Sequence, residues 1–164
     1  MKTKKIVEDK YTQPIFCPND LYVYKNCKEQ YIIDHYLWDN GDEIEPSTTD
    51  FKGVKYGLAY RKDDPDKKLC MVVLLDTESF EDEYDAVDII AHESTHVTNH
   101  MLSFCSIPLS RDTDEVFAFL NGWVAKCVYT TYKKKDEYEW NRVKCHTILR
   151  RFPKPKRVEY PSNW

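Results

Sequence analysis

Ile89-Ile90-Ala91-His92-Glu93-Ser94-Thr95-His96 is the stretch whose reading decides the rest of this 164-residue chain. Its last five residues spell H-E-x-x-H inside an apolar-periodic run. No Pro or Gly interrupts residues 84 to 106, and Pro108 ends the run. That pattern predicts a helix over about 84 to 104. Residues four apart on a helix stand one above the other, so His92 and His96 can reach one metal ion. Glu93 projects near the same cleft, where it can take a proton from water held at the metal. With 5 His in 164 residues, a shuffled chain would show the motif about once in a hundred.

The flanking residues divide into two stripes. Val87, Ile90, Ala91, Ser94, Val97 and Met101 recur at spacings of three and four and predict a core-facing surface. Ile89, His92, Glu93, His96 and His100 form a neighbouring stripe that faces a cleft. Glu81, Asp82, Glu83 and Asp85 crowd the start of the helix, where the positive end of its dipole favours acid.

Upstream, Leu69 to Asp76 is short, β-rich and flanked by polar residues, which predicts a strand. Val54 to Arg61 predicts its antiparallel partner across the Asp63-Asp64-Pro65-Asp66 turn. Leu21 to Lys25 reads as a short strand, and Gln30 to Trp38 as strand or short helix. Downstream, a second helix is expected from near Thr113 or Asp114, capped by Asp112 or Thr113, to about Thr131. A third helix is expected over Asp136 to Arg150. The fold class is therefore α+β, a small antiparallel or mixed sheet followed by the His-bearing helix and a second, Glu-bearing helix. No repeat or linker divides the chain, so residues 1–164 form one domain, with 1–13 and 151–164 as peripheral extensions.

Bulk properties narrow the function. Hydrophobic content of 41% and charged content of 32% are ordinary for a soluble globular protein. A net charge of −4 disfavours general nucleic-acid binding. The sequence has no apolar run long enough to span a bilayer, and no apolar signal core follows Met1-Lys2-Thr3-Lys4-Lys5. A cytoplasmic protein without a membrane partner is expected. Cys17, Cys27, Cys70, Cys105, Cys127 and Cys145 are scattered with no C-x-x-C pair, which reads as reduced, mostly structural thiols.

One catalytic Zn²⁺ usually takes three protein ligands and one water. Glu115 and Asp114 are the candidate third ligands. Glu115 shares a helix face with Ala118, Gly122 and Ala125, and small residues there would let the second helix approach the first. Asp114 shares a face with Phe117, Ala118 and Asn121, and its side chain is one carbon shorter, so Glu115 is favoured. His100 is a weaker ligand candidate, because a fourth protein ligand would remove the water position. His35 and His146 read as structural or surface histidines. Tyr129, Tyr132, Tyr138 and His146 are the candidate donors to a developing oxyanion, none singled out by its context.

H-E-x-x-H followed 19 residues later by Glu115 resembles the gluzincin group of zinc metallopeptidases. Ile90-Ala91-His92-Glu93-Ser94-Thr95-His96 with Asp114-Glu115-Val116-Phe117-Ala118-Phe119-Leu120-Asn121-Gly122-Trp123 is similar, more closely, to small phage- and prophage-encoded zincins. The resemblance covers about residues 69 to 128. It implies a compact zincin-like domain, His92, His96 and Glu115 on one zinc ion, Glu93 as general base, and a peptide or protein substrate. It also implies that Leu69 to Asp76 either binds extended peptide at a sheet edge or is an internal strand. Two departures stand out. The metzincin extension is absent, with Asn99 and Leu102 in place of its Gly and His, and Phe119 stands where an Asp supporting a zinc-bound His would be. A catalytically silent metal-binding assembly or interaction protein on the same frame is the alternative.

Overall fold

A computed structural model describes residues 2–13, 19–46 and 53–140. It shows a mixed α+β fold. The strands are β1 (Lys2–Lys4), β2 (Val7–Thr12), β3 (Asp20–Lys25), β4 (Tyr36–Trp38), β5 (Val54–Arg61), β6 (Leu69–Leu75) and β7 (Tyr138–Trp140). The helices are α1 (Glu29–His35), α2 (Glu83–Phe104) and α3 (Asp114–Tyr132). Five strands form one sheet in the order β2-β3-β6-β5-β4, while β1 and β7 pair separately.

The hairpin expected from the sequence is present: β5 runs antiparallel to β6, with Val54 opposite Leu75 and Tyr60 opposite Leu69. On its other side β6 pairs with β3 in parallel. Both edges of β6 are thus occupied, and Cys70 through Leu75 are buried. This explains its unbroken apolar run, since an interior strand covered on both faces has no solvent-facing positions to make polar. The strand edge implied for substrate is therefore not Leu69 to Asp76. Among the described residues, an unpaired strand edge lies on β5 instead. On β5, β4 covers Ala59, Tyr60 and Arg61, and among the described residues no strand pairs with the outer side of Val54 to Leu58.

Alternation along the strands makes two cores. Leu21, Val23, Met71, Val73 and Leu75 face α2 and α3, whereas Tyr24, Cys70, Val72 and Leu74 join Ile32 and Tyr36 on the opposite face. Each fully buried Val, Leu or Met contributes about 1.5–3 kcal/mol relative to exposure. α2 packs over β5, while α3 packs over β3 and β2.

Several expectations change. Residues 7–12, taken as a peripheral extension, form edge strand β2 of the main sheet, and residues 2–4 pair with β7. Residues 138–140 are strand rather than the start of a third helix. The rest of that segment and the 151–164 tail lie outside the described residues. The segment 30–38 is both things expected of it, helix to His35 and then strand. Cys27, Cys70, Cys105 and Cys127 are free, and burial pushes the Cys27, Cys70 and Cys127 thiols up to about 12. Cys17 and Cys145 lie outside the described residues. Among the described residues, no helix is long and apolar enough to cross a membrane.

Candidate metal centre

α2 begins as its acidic entry predicts. Asp82 is the N-cap and its carboxylate accepts from the Asp85 backbone N–H at 2.9 Å, while Asp85 accepts from the Glu81 N–H at 3.0 Å. This reciprocal arrangement satisfies two donors at the helix entry, and a single cap of this kind is worth about 1 kcal/mol. The helix then runs unbroken through the motif. Its buried face is Ala86, Ile90, Ser94, Val97, Thr98, Met101 and Leu102. Val87 and Ala91, expected inside, are exposed. The stripe is rotated because α3 covers the flank carrying Thr98, whose hydroxyl donates to Asn121 Oδ1 at 3.4 Å.

His92 and His96 stand on the opposite flank, with Thr98 about 200° round the helix from His96. Their Nε2 atoms converge to 3.3 Å. Two nitrogens bound to one tetrahedral zinc at about 2.0–2.1 Å each would lie about 3.3–3.4 Å apart. The pair thus fits two corners of a zinc tetrahedron without rearrangement. Glu93 Oε1 is 4.0 Å from His92 Nε2, and the Glu93 side chain is only 25% exposed against 69% for His92. The carboxylate is therefore beside the convergence point and partly shielded from bulk water.

The wall of this site comes from β5. Val54, Tyr56 and Leu58 point toward α2 by strand alternation. The Tyr56 ring lies nearly parallel to the His96 ring, at 11° and 6.2 Å between centroids, and is tilted against His100 at 5.6 Å. Burial and then the Glu93 charge hold the Tyr56 phenol above its usual range, so it stays protonated. Sequence reading did not single out Tyr56. The available signal was a polar-tipped aromatic between Val54 and Leu58 on one strand face.

Glu115 is not brought to this pair. α2 and α3 run antiparallel, with Glu83 accepting from the Tyr129 hydroxyl at 2.6 Å and from Lys133 Nζ at 3.0 Å. Six residues back from Asn121 matches six on from Thr98, so Glu115 stands level with Phe104, about 12 Å along the axis from His96. Glu115, Ala118 and Gly122 are exposed, and a Cβ on Gly122 would meet nothing within 4 Å. The small-residue face therefore does not mediate a close approach. The buried residues of α3 are Leu120, Val124, Cys127, Val128 and Thr131. Thr113 takes the N-cap position of α3, but its hydroxyl donates to the Pro108 carbonyl at 2.5 Å rather than capping. Asp114 Oδ1 accepts from the Glu115 N–H at 2.9 Å. Among the described residues, no three His, Cys, Asp or Glu side chains are placed to hold one metal ion.

The candidate oxyanion donors are also elsewhere. Tyr129 bonds Glu83, Tyr132 packs edge-on against Phe80, and Tyr138 is in β7. His146 lies outside the described residues. His35 is structural, its Nδ1 2.7 Å from the Tyr31 carbonyl and its ring stacked on Tyr31. No family profile matches this chain, and neither a curated protein nor a solved structure shows significant similarity to it.

Proposed function

We propose that this protein is a zinc-dependent hydrolase of peptide or amide bonds, with His92 and His96 as two ligands of one Zn²⁺ and Glu93 as general base. The observation that carries this reading is the 3.3 Å convergence of the two Nε2 atoms beside a half-shielded carboxylate. A helix with a purely structural His pair has no need of that acid. Zinc, when bound, supplies a Lewis acid and lowers the pKa of its water toward about 7. Glu93 accepts the proton of the attacking water and delivers it to the leaving nitrogen. The open half of β5 offers main-chain donors and acceptors to an extended chain next to His96, which suits a peptide or protein substrate. Neither nucleic acid nor membrane enters this reading, and the protein acts in the cytoplasm.

The sequence pattern nominates Glu115 as the third ligand, a role that its exposed place at the start of α3, apart from the pair, does not support. The same residue motivates a second reading, in which the protein holds metal through the His pair for assembly or interaction and does not hydrolyse. An axial offset of about 12 Å for Glu115, eight residues of helical rise along α2, favours that second reading. A peptide-library cleavage assay separates the two. Hydrolysis that needs zinc and falls by about 10²–10⁴-fold in Glu93→Gln with metal retained is the result expected of the hydrolase. Unchanged turnover in Glu93→Gln removes Glu93 as base, and no cleavage by the zinc-loaded wild type leaves the second reading.

A further inference from the structure

We propose that Tyr56 is a positioning residue for the metal pair, a role that rests on the zinc reading above. Three imidazoles, His92, His96 and His100, follow one another at four-residue steps along α2. Only the first two converge. The Tyr56 ring, carried by β5, lies beside both His96 and His100, nearly parallel to the first and tilted at 57° to the second. A surface histidine on a helix has several open rotamers, and a neighbour that restricts them lowers the entropy cost of ligation. Tyr56 supplies that restriction for His96, and its ring also stands 5.6 Å from that of His100. β5 is held in the sheet by hydrogen bonding to β6 and packs directly against α2. The ring, not the hydroxyl, does this work.

The test uses the full chain and Co²⁺, whose visible spectrum reports ligand number and geometry, with Zn²⁺ affinity from competition against a chromophoric chelator. Tyr56→Phe keeps the ring and is expected to bind within about twofold of wild type. Tyr56→Leu keeps apolar volume but no plane and is expected to lose about 10-fold or more, the usual effect of removing a group that orients a ligand. Long-range ¹H–¹⁵N spectra of the metal-free imidazoles give a readout independent of loading, with His96 signals shifting in Tyr56→Leu and His92 signals little changed. Wild-type affinity in Tyr56→Leu with unshifted His96 signals overturns the proposal. So does a Tyr56→Phe loss as large as that of Tyr56→Leu, which would assign the effect to the hydroxyl. Failure of the wild type to bind metal instead defeats the zinc reading, and the metal-free spectra still decide whether Tyr56 orders His96.

Discussion

Replacing Lys25 by Met should cost about 2–4 kcal/mol of folding stability. Lys25 ends β3, and its side chain is 8% exposed. Its ammonium donates to the carbonyls of Tyr132 at 2.9 Å and Lys134 at 2.5 Å, at the carboxyl end of α3, and pairs with Asp136 Oδ1 at 3.0 Å. A hydrogen bond to a charged group is worth about 1.5–3 kcal/mol, and a cation at a partly buried helix C-terminus up to about 2. Breaking a fully buried pair costs about 3–5 kcal/mol, an upper bound here. Asp136 is 26% exposed and keeps its bond from Asn26 Nδ2 at 3.0 Å, so it partly rehydrates and the loss falls below that bound. Met retains the aliphatic stem, which isolates the charged head. Urea unfolding is the assay. At a slope of about 2 kcal/mol per molar, the midpoint should fall by about 1–2 M with the slope unchanged. The pH dependence supplies a second check. The bonds from Asn26 and then Lys25 hold the Asp136 carboxyl below the usual carboxylate range. A depressed folded-state pKa gives stability that is present above the unfolded value and is lost as pH falls through the folded one. The variant should therefore lose less stability than wild type on acidification below about pH 4. A midpoint within about 0.3 M of wild type would refute the reasoning.

Three further outcomes are expected. Among the described residues Ser94 Oγ is buried without a hydrogen-bond partner, so Ser94→Ala should stabilise by about 1 kcal/mol and raise Tm, while a lowered Tm would show an unseen partner. Gly122 faces open space on an exposed helix turn, so Gly122→Ala should stabilise by about 1 kcal/mol and leave metal binding alone. Weakened metal binding in that variant would instead put the small-residue face of α3 against α2 in the loaded protein. His96→Ala should lose stoichiometric zinc by elemental analysis, and a retained 1:1 content would defeat the ligand assignment.

The helix and hairpin around the motif were legible because each has one strong signal. Leu69 to Leu75 is apolar throughout since β6 is interior, and α2 carries clear periodicity between an acidic cap and Pro108. Edge strand β2 left no such trace. Val7 to Thr12 has no buried residue, so its alternation is between half-buried and exposed and its composition reads as loop. The convergence of His92 and His96 follows from four-residue spacing alone. Where Glu115 stands depends on how two helices slide and rotate against each other, a property of the Thr98–Asn121 contact and the loop between them that no spacing encodes. Tyr56 was hidden for the same reason. Its role comes from which strand α2 happens to cover, 36 positions before His92 in the chain.

The parallel pairing of β3 with β6 has a consequence for how the chain can be cut. Its most water-averse strand depends on a neighbour that precedes it by a long excursion through α1, β4 and β5. Closing that span is entropically slow, so the local β5–β6 hairpin should form first and wait with one flank bare. Any shortened version lacking residues 20–25 would leave that flank permanently uncovered, a row of unpaired amides along Met71 to Leu75. Such fragments are expected to associate with one another through it rather than remain dispersed.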